Sequence, residues 1–219
     1  MLKETIKKEW YIIILLIVPF GASAYLWNDL PDVMPTHFNI HGEADDWGPK
    51  WVNAIMFPAI GLATYLSLIF LPFIDPKKQI ESRQKPIAAI RMLLSLFMVG
   101  LYAFRMAKSM GSELEIRIYV NVAIGFLILI IGNYMSSLKQ NYFIGVKTPW
   151  TLENEMVWKK THRITAKLWT IGGLILVLIP FLITNQNIYW SICGVLLSIL
   201  ILYPIMYSYV IFQKLDVSK

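Results

Sequence analysis

LWTIGGLILVLIPFLITNQNIYWSICGVLLSILILYPIMYSYVIFQ, Leu168 to Gln213, runs for 46 residues without an Asp, Glu, Lys or Arg. A helix needs about 20 apolar residues to cross the hydrocarbon core of a bilayer. The run is therefore long enough for two crossings, and the polar TNQN at Thr184–Asn187 marks the turn between them.

The same pattern repeats outward along the chain. Trp10–Asn28, Trp51–Ile74 and Ile118–Leu138 are also charge-free. A further apolar stretch, Met92–Phe104, is only 13 residues long and is bounded by Arg91 and Arg105. Both arginines sit near the ends of a span over 87–107, from which long side chains can snorkel to the interface. A buried helix of a water-soluble protein would explain this stretch alone but not its five neighbours. Composition agrees: the chain is 57% hydrophobic and 16% charged, with mean hydropathy +0.56, whereas a soluble domain carries about 25% charged residues. The expected fold is all-α and polytopic, with six transmembrane helices over about 10–28, 52–72, 87–107, 117–136, 164–183 and 188–211. The first span exceeds a typical signal-peptide core and is followed by Trp-Asn-Asp-Leu-Pro rather than a small-residue cleavage pattern. Cys193, the single cysteine, lies inside the last span and reads as a packing residue.

Six spans put both termini on one side. Segments 1–9, 73–91, 137–167 and 212–219 then hold 16 of the 20 Lys and Arg residues, which places the termini in the cytoplasm. The pI near 9.3 is thus a topology signal and does not imply direct nucleic-acid binding. Trp10 and Trp169 fall near inner span ends and Trp27, Trp51 and Trp190 near outer ones, as an aromatic belt requires. Asn121 and Asn133 in the fourth span are candidates for interhelical hydrogen bonds. No Asp or Glu lies within the spans, which argues against a proton-coupled transporter.

Two polar connections carry the chemistry. The first, residues 29–50, faces outside on this topology. From Asn28 to Lys50 it holds Asp29, Asp32, Glu43, Asp45 and Asp46 against one lysine, a local charge of −4. Such a patch attracts a cationic peptide or a divalent cation. His37, His41 and Asp45 are spaced by four, the spacing of one helix face, and offer N, N and O ligands acceptable to zinc. Gly42 and Pro35 break that pattern, and no HExxH grammar is present. The stronger reading is a compact loop, turned by Asn39 and Gly42 and anchored by Trp47 and Trp51. The second connection, residues 137–163, faces the cytoplasm. Asn141, Gly145, Lys147, Thr148, Pro149 and Trp150 form a turn-rich segment. Beyond it, Thr151 is a plausible N-cap for a helix with Glu153 and Glu155 in its first turns, running through Trp158 and His162 into the fifth span. Lys159, Lys160, Arg163 and Lys167 give that helix a basic face. It fits positive-inside anchoring or the docking of a cytoplasmic protein. Neither connection carries a phosphate loop, a serine elbow or a paired intramembrane acid, so no catalytic residue is assigned and the chain reads as a binding protein rather than an enzyme.

The two connections together resemble a known family. LPDVMPTHFNIHGEADDWGPK, Leu30–Lys50, is similar to the signature of the DUF1648 domain, matched at Pro35, His37, Asn39, Gly42, Asp45, Trp47 and Lys50. NYFIGVKTPWTLENEMVWKKTHRITAKLW, Asn141–Trp169, resembles the signature of the SdpI family of bacterial membrane proteins. It matches at Asn141, Gly145, Lys147, Thr148, Pro149, Trp150, Thr151, Asn154, Trp158, Thr161, His162 and Arg163. Lys147 stands where arginine is frequent and Ala166 where glycine is, changes that keep charge and small size. On this resemblance, residues 1–72 form a DUF1648-like region with two spans, and residues 73–219 an SdpI-like four-helix region.

The resemblance implies a cell-membrane immunity protein that protects a bacterium from a secreted killing peptide of the SDP type. It also implies signalling, by sequestering a cytoplasmic transcriptional repressor at the membrane. His37, Asn39, Asp45, Trp47 and Lys50 would meet a cationic or amphipathic peptide from outside. Asn141, Gly145, Lys147, Thr148, Pro149, Trp150, Trp158, His162 and Arg163 would form the partner face inside. The competing expectations are a sensor or adaptor without immunity, and a membrane enzyme or small-molecule transporter, metal-dependent or not; no cofactor is expected on the leading reading, with zinc or another divalent cation as the alternative.

Overall fold

The computed structural model describes residues 2–39, 42–76, 78, 80 and 85–216. Its helices are α1 (Leu2–Lys8), α2 (Trp10–Leu26), α3 (Phe57–Ile74), α4 (Lys85–Ser109), α5 (Ile116–Met135), α6 (Pro149–Glu153), α7 (Glu155–Leu182) and α8 (Gln186–Asp216). Two strands, β1 (Val33–Phe38) and β2 (Ala44–Pro49), and a π-helical turn, Val52–Met56, lie between α2 and α3. Among the described residues five helical stretches are long and apolar enough to cross a membrane: Val52–Ile74, Lys85–Ser109, Ile116–Met135, Glu155–Leu182 and Gln186–Leu215. The pair α1 and α2, bent by 70° at Glu9, makes a sixth if taken as one span. The protein is thus a mainly helical, multi-pass membrane protein whose apolar helices coincide with the charge-poor runs of the sequence.

The all-α expectation needs one correction. β1 and β2 pair antiparallel as a hairpin where the sequence suggested only a compact loop. Pro31, Pro35 and Pro49 disfavour a helix here, and the backbone groups of a non-helical segment still need partners. The turn is built by Asn39 and Gly42: the Asn39 N–H donates to the Glu43 carbonyl at 2.9 Å and the Gly42 N–H to the Asn39 carbonyl at 3.0 Å. Gly42 has φ +83°, the left-handed region that glycine tolerates. Two register steps, between Pro35 and His37 and between His37 and Phe38, break the in–out alternation by which a strand is recognised.

The chain divides into two compact units, residues 1–70 with 89–121 and residues 71–88 with 122–219. The first has two apolar centres. Leu30, Met34, Ala54, Tyr102 and Met106 are buried together beneath the hairpin, with Trp27 and Phe57 packed against them. Ile12, Leu16, Tyr65 and Ile69 form the other. Arg91 does not snorkel. It is 0% exposed, and its guanidinium pairs with the Glu9 carboxylate, to which the Tyr65 hydroxyl also donates at 3.1 Å. Arg105 likewise turns inward, toward the hairpin. The π turn ends just before Pro58, whose ring offers no N–H to the carbonyl of Ala54.

In the second unit Leu176, Ile179, Tyr189, Cys193 and Leu200 make the core, so Cys193 does pack. Small residues let helices approach closely, as in membrane bundles generally. A Cβ on Gly173 of α7 would lie 2.4 Å from the Leu129 backbone of α5, and one on Gly132 of α5 would lie 2.7 Å from the Thr170 backbone. Asn121 is buried, whereas Asn133 is exposed.

Candidate functional site

The hairpin belongs to the first unit. His37 Nδ1 lies 2.6 Å from Asp45 Oδ1 across its two strands. Thr36 Oγ1 donates to Asp46 Oδ2 at 2.8 Å. Asn39 closes the turn with its side chain as well: Oδ1 accepts the Glu43 N–H at 3.1 Å and Nδ2 donates to Glu43 Oε2 at 3.2 Å. Lys50 folds back over Trp27, with Nζ 5.0 Å from the ring centroid, 3.3 Å from the Trp27 carbonyl and 3.0 Å from Asp32 Oδ1. Asn39 and Lys50 therefore shape and pin the hairpin. Asp32, His37, Glu43, Asp45, Asp46 and Trp47 are exposed.

A second group, invisible in the primary pattern, holds the hairpin from below. Arg105 on α4 donates through Nε to Asn53 Oδ1 at 2.8 Å and through Nη2 to the same oxygen. Nη2 also reaches the carbonyls of Thr36 at 3.1 Å and Pro35 at 3.4 Å. Asn53 Nδ2 donates to the Pro35 carbonyl at 2.9 Å. The guanidinium stacks over Phe57, 4.9 Å from Cζ to the ring centroid. An arginine alone at a span end signals an anchor; only the π turn, by presenting Asn53, makes it a strand clamp.

The zinc set expected from the sequence is His37, His41 and Asp45. His37 and Asp45 converge, and His41 lies outside the described residues. Among the described residues no group of three His, Cys, Asp or Glu side chains is arranged to hold a metal ion.

The 137–163 connection belongs to the second unit and is a tightly bonded lariat. Asn141 Oδ1 accepts the N–H groups of Phe143 and Ile144, both at 2.8 Å, and its Nδ2 donates to the Lys139 and Ile144 carbonyls at 2.8 and 3.1 Å. Gly145 has φ +117°, and a Cβ there would lie 2.3 Å from His162 Nε2. That space lets His162 Nε2 accept the Val146 N–H at 3.1 Å while Nδ1 donates to the Trp158 carbonyl at 2.9 Å. This bonding pattern selects the neutral Nδ1–H tautomer. The imidazole stacks on the Trp158 indole with centroids 3.9 Å apart, and Trp158 Nε1 donates to the Leu138 carbonyl at 2.8 Å.

The helix start differs from the expected Thr151 cap. Thr148 is the N-cap of α6: its Oγ1 accepts the Thr151 N–H at 3.2 Å, and Thr151 Oγ1 returns the bond from the Thr148 N–H at 2.9 Å. Pro149 takes the first helical position, which needs no N–H. Asn154 then caps α7, accepting from Met156 and Val157, because its extended backbone (φ −121°, ψ 118°) breaks the helix between Glu153 and Glu155. Helix α7 continues through Trp158 and His162 into the span as expected. Thr148 Oγ1 also meets Ser208 Oγ at 3.0 Å, and Trp150 packs on Tyr209 at 5.0 Å, tying the connection to α8. Asn141, Gly145, Thr148, Trp158 and His162 are thus the frame. Lys147, Pro149, Lys159, Lys160, Arg163 and Lys167 are exposed upon it.

Comparison with known proteins follows the same two segments. The family model described as the SdpI/YfhL protein family matches residues 137–208, and the domain of unknown function DUF1648 matches residues 14–62. The immunity protein SdpI of Bacillus subtilis (strain 168) is 29% identical over 216 residues, covering 97% of this chain and 100% of that protein. No solved structure matches. With both segments matched in order and a relative aligned along nearly the whole length, the chain is similar to the SdpI/YfhL family over residues 137–208, with a DUF1648-like segment ahead of that region.

Proposed function

We propose that this protein is a membrane immunity protein that binds a secreted killing peptide and keeps it from damaging the bilayer. The observation that carries the reading is the end-to-end similarity to the immunity protein SdpI, which spans 97% of this chain and 100% of that protein. The hairpin is the recognition element of the proposal. It is acidic, rigidly pinned through Arg105 and Lys50, and offers exposed Asp45, Asp46 and Trp47 to a cationic or amphipathic peptide arriving from outside. Six spans with both termini in the cytoplasm, on the Lys and Arg asymmetry of the sequence, put it on that side. The activity needs binding and no bond chemistry, so the proposal is a binder and not an enzyme.

Expression in a strain sensitive to an SDP-type toxin tests this directly. Protection by membrane-inserted protein is expected; undiminished killing would refute immunity against that toxin. The signalling branch rests on the exposed basic face of α7 (Lys159, Lys160, Arg163, Lys167) beside Lys147, which would recruit a cytoplasmic repressor. A pull-down from toxin-treated cells with Lys160→Glu/Arg163→Glu should lose that partner while retaining protection. A divalent cation on the hairpin is a separate reading, favoured by the 2.6 Å approach of His37 and Asp45, with His41 completing the set. Stoichiometric metal in purified protein, absent from His37→Ala/His41→Ala, is its required result.

A further inference from the structure

The two long edges of the hairpin are not equivalent. Outside the strands the Lys50 N–H donates to the Asp32 carbonyl at 2.9 Å, so Asp32 and Lys50 are a hydrogen-bonded pair. The register continues Val33–Pro49, Met34–Gly48, Pro35–Trp47. Bonded and non-bonded pairs alternate in an antiparallel ladder, which makes Met34–Gly48 bonded and leaves Val33–Pro49 and Pro35–Trp47 facing away from each other. Pro35 bears this out: its carbonyl turns outward, to Asn53 Nδ2 and the Arg105 guanidinium. The far edge of β1 is therefore closed at its centre, since Pro35 has no N–H and the Pro35 and Thr36 carbonyls are taken.

By the same parity the Trp47 N–H and C=O, and the Pro49 C=O, point off the far edge of β2. Trp47 is 56% exposed, and Asp45 and Asp46 beside it are exposed as well. Val33, 58% exposed, and Trp47 lie on one face of the hairpin, because alternate pairs share a face. Met34 on the other face is fully buried. The result is a short open edge with an apolar shelf and two acids.

The geometry points to strand addition at the free edge of β2, centred on Trp47, by an extended cationic segment of a peptide. This inference rests on the peptide-binding reading above and names its mode. In strand addition the main chain supplies binding energy and alternate side chains supply choice. Apolar residues of the added strand meet Trp47 and Val33, and lysines or arginines meet Asp45, Asp46 and the −4 charge of the segment. The pairing is short because Pro49 donates nothing and the register step beside Asp45 ends the regular ladder. The charge also sets the occupant. A second copy would bring another segment of charge −4 against this one, and anionic headgroups meet the same repulsion.

The test uses the full chain in zwitterionic nanodiscs and a synthetic eight-residue alternating valine–lysine peptide, with calorimetry as readout. Two further peptides carry N-methyl groups on one or the other alternate set of amides, with identical side chains and charge. Strand addition predicts that one methylated isomer loses affinity by about tenfold or more while the other binds like the parent. Equal binding by all three peptides would reduce the contact to side-chain charge and overturn the inference, as would absence of binding by all. On the protein side, Trp47→Pro removes the outward N–H without breaking a ladder bond and should match the loss, whereas Trp47→Phe should not. Protection from toxin is scored separately. Failure of the unmodified protein to protect refutes the immunity reading alone, and full protection by Trp47→Pro refutes the strand mode alone.

Discussion

Glu9 and Arg91 show how much a single residue's role depends on what lies 82 positions away. Glu9 stands at the bend between a charged helix and an apolar one, and Arg91 enters the third apolar stretch. Buried together, the two neutralise each other's charge; Arg91 Nε donates to Glu9 Oε2 at 2.9 Å. Removing one partner leaves a buried charge, which costs about 3–5 kcal/mol, whereas replacing both with apolar residues is far milder. Glu9→Leu should therefore lower the thermal stability of the solubilised protein more than Glu9→Leu/Arg91→Leu does; a double variant worse than the single one would contradict the pairing account. Gly145 presents a different demand. Its left-handed backbone and the 2.3 Å approach of His162 Nε2 leave no room for a methyl group. Gly145→Ala should cost about 1–3 kcal/mol from backbone strain alone and lose the Val146–His162 bond. At Gly42, where a Cβ would meet only the Ile116 side chain at 2.6 Å, a smaller drop in melting temperature is expected. The patterns Asn-x-x-x-Gly and Trp-x-x-x-His were visible at these positions in the sequence, but nothing in it says that Gly145 is small for the sake of His162.

At the scale of elements, the helices were legible and the hairpin was only half so. Charge-free runs located α2, α3, α5, α7 and α8, because a bilayer leaves no other solution for such runs. Asn39 and Gly42 announced the turn of the hairpin. The strands did not announce themselves, since prolines and two register steps interrupt the alternation. What fastens the hairpin is Arg105, reaching Asn53 and two strand carbonyls. Arg105→Ala should raise hydrogen exchange across residues 33–49 and weaken toxin protection. Arg105→Lys should rescue little, because an ammonium cannot reproduce the planar fork. Unchanged exchange in Arg105→Ala would remove the clamp. In the second connection, Thr148→Ala deletes the cap of α6 and the bond to Ser208, a loss of about 1–2 kcal/mol, to be read as a lower melting temperature; Thr151→Ala should lose a comparable amount, as the other half of the capping box.

For the whole molecule, the strongest expectation is sidedness. With Cys193→Ser as background, Asp46→Cys should react with an impermeant thiol reagent on intact cells, and Lys160→Cys only after permeabilisation. Labelling of both from outside would contradict six spans with cytoplasmic termini. The sequence by itself determined that this is a multi-pass membrane protein, which family it resembles, and which two connections carry its character. Those are properties of composition and local pattern: hydrocarbon demands long apolar helices, and the polar remainder stands out against them. The tertiary structure alone decided which of the signature residues are frame and which are surface. Lys50, Asn141, Thr148, Trp158 and His162 turned inward to satisfy the fold, and Asp45, Asp46, Trp47 and the basic face of α7 remained accessible. The reason is that a buried polar group must find its partner wherever the chain brings one, and those partners lie as far apart in sequence as Thr148 and Ser208 or Arg105 and Pro35.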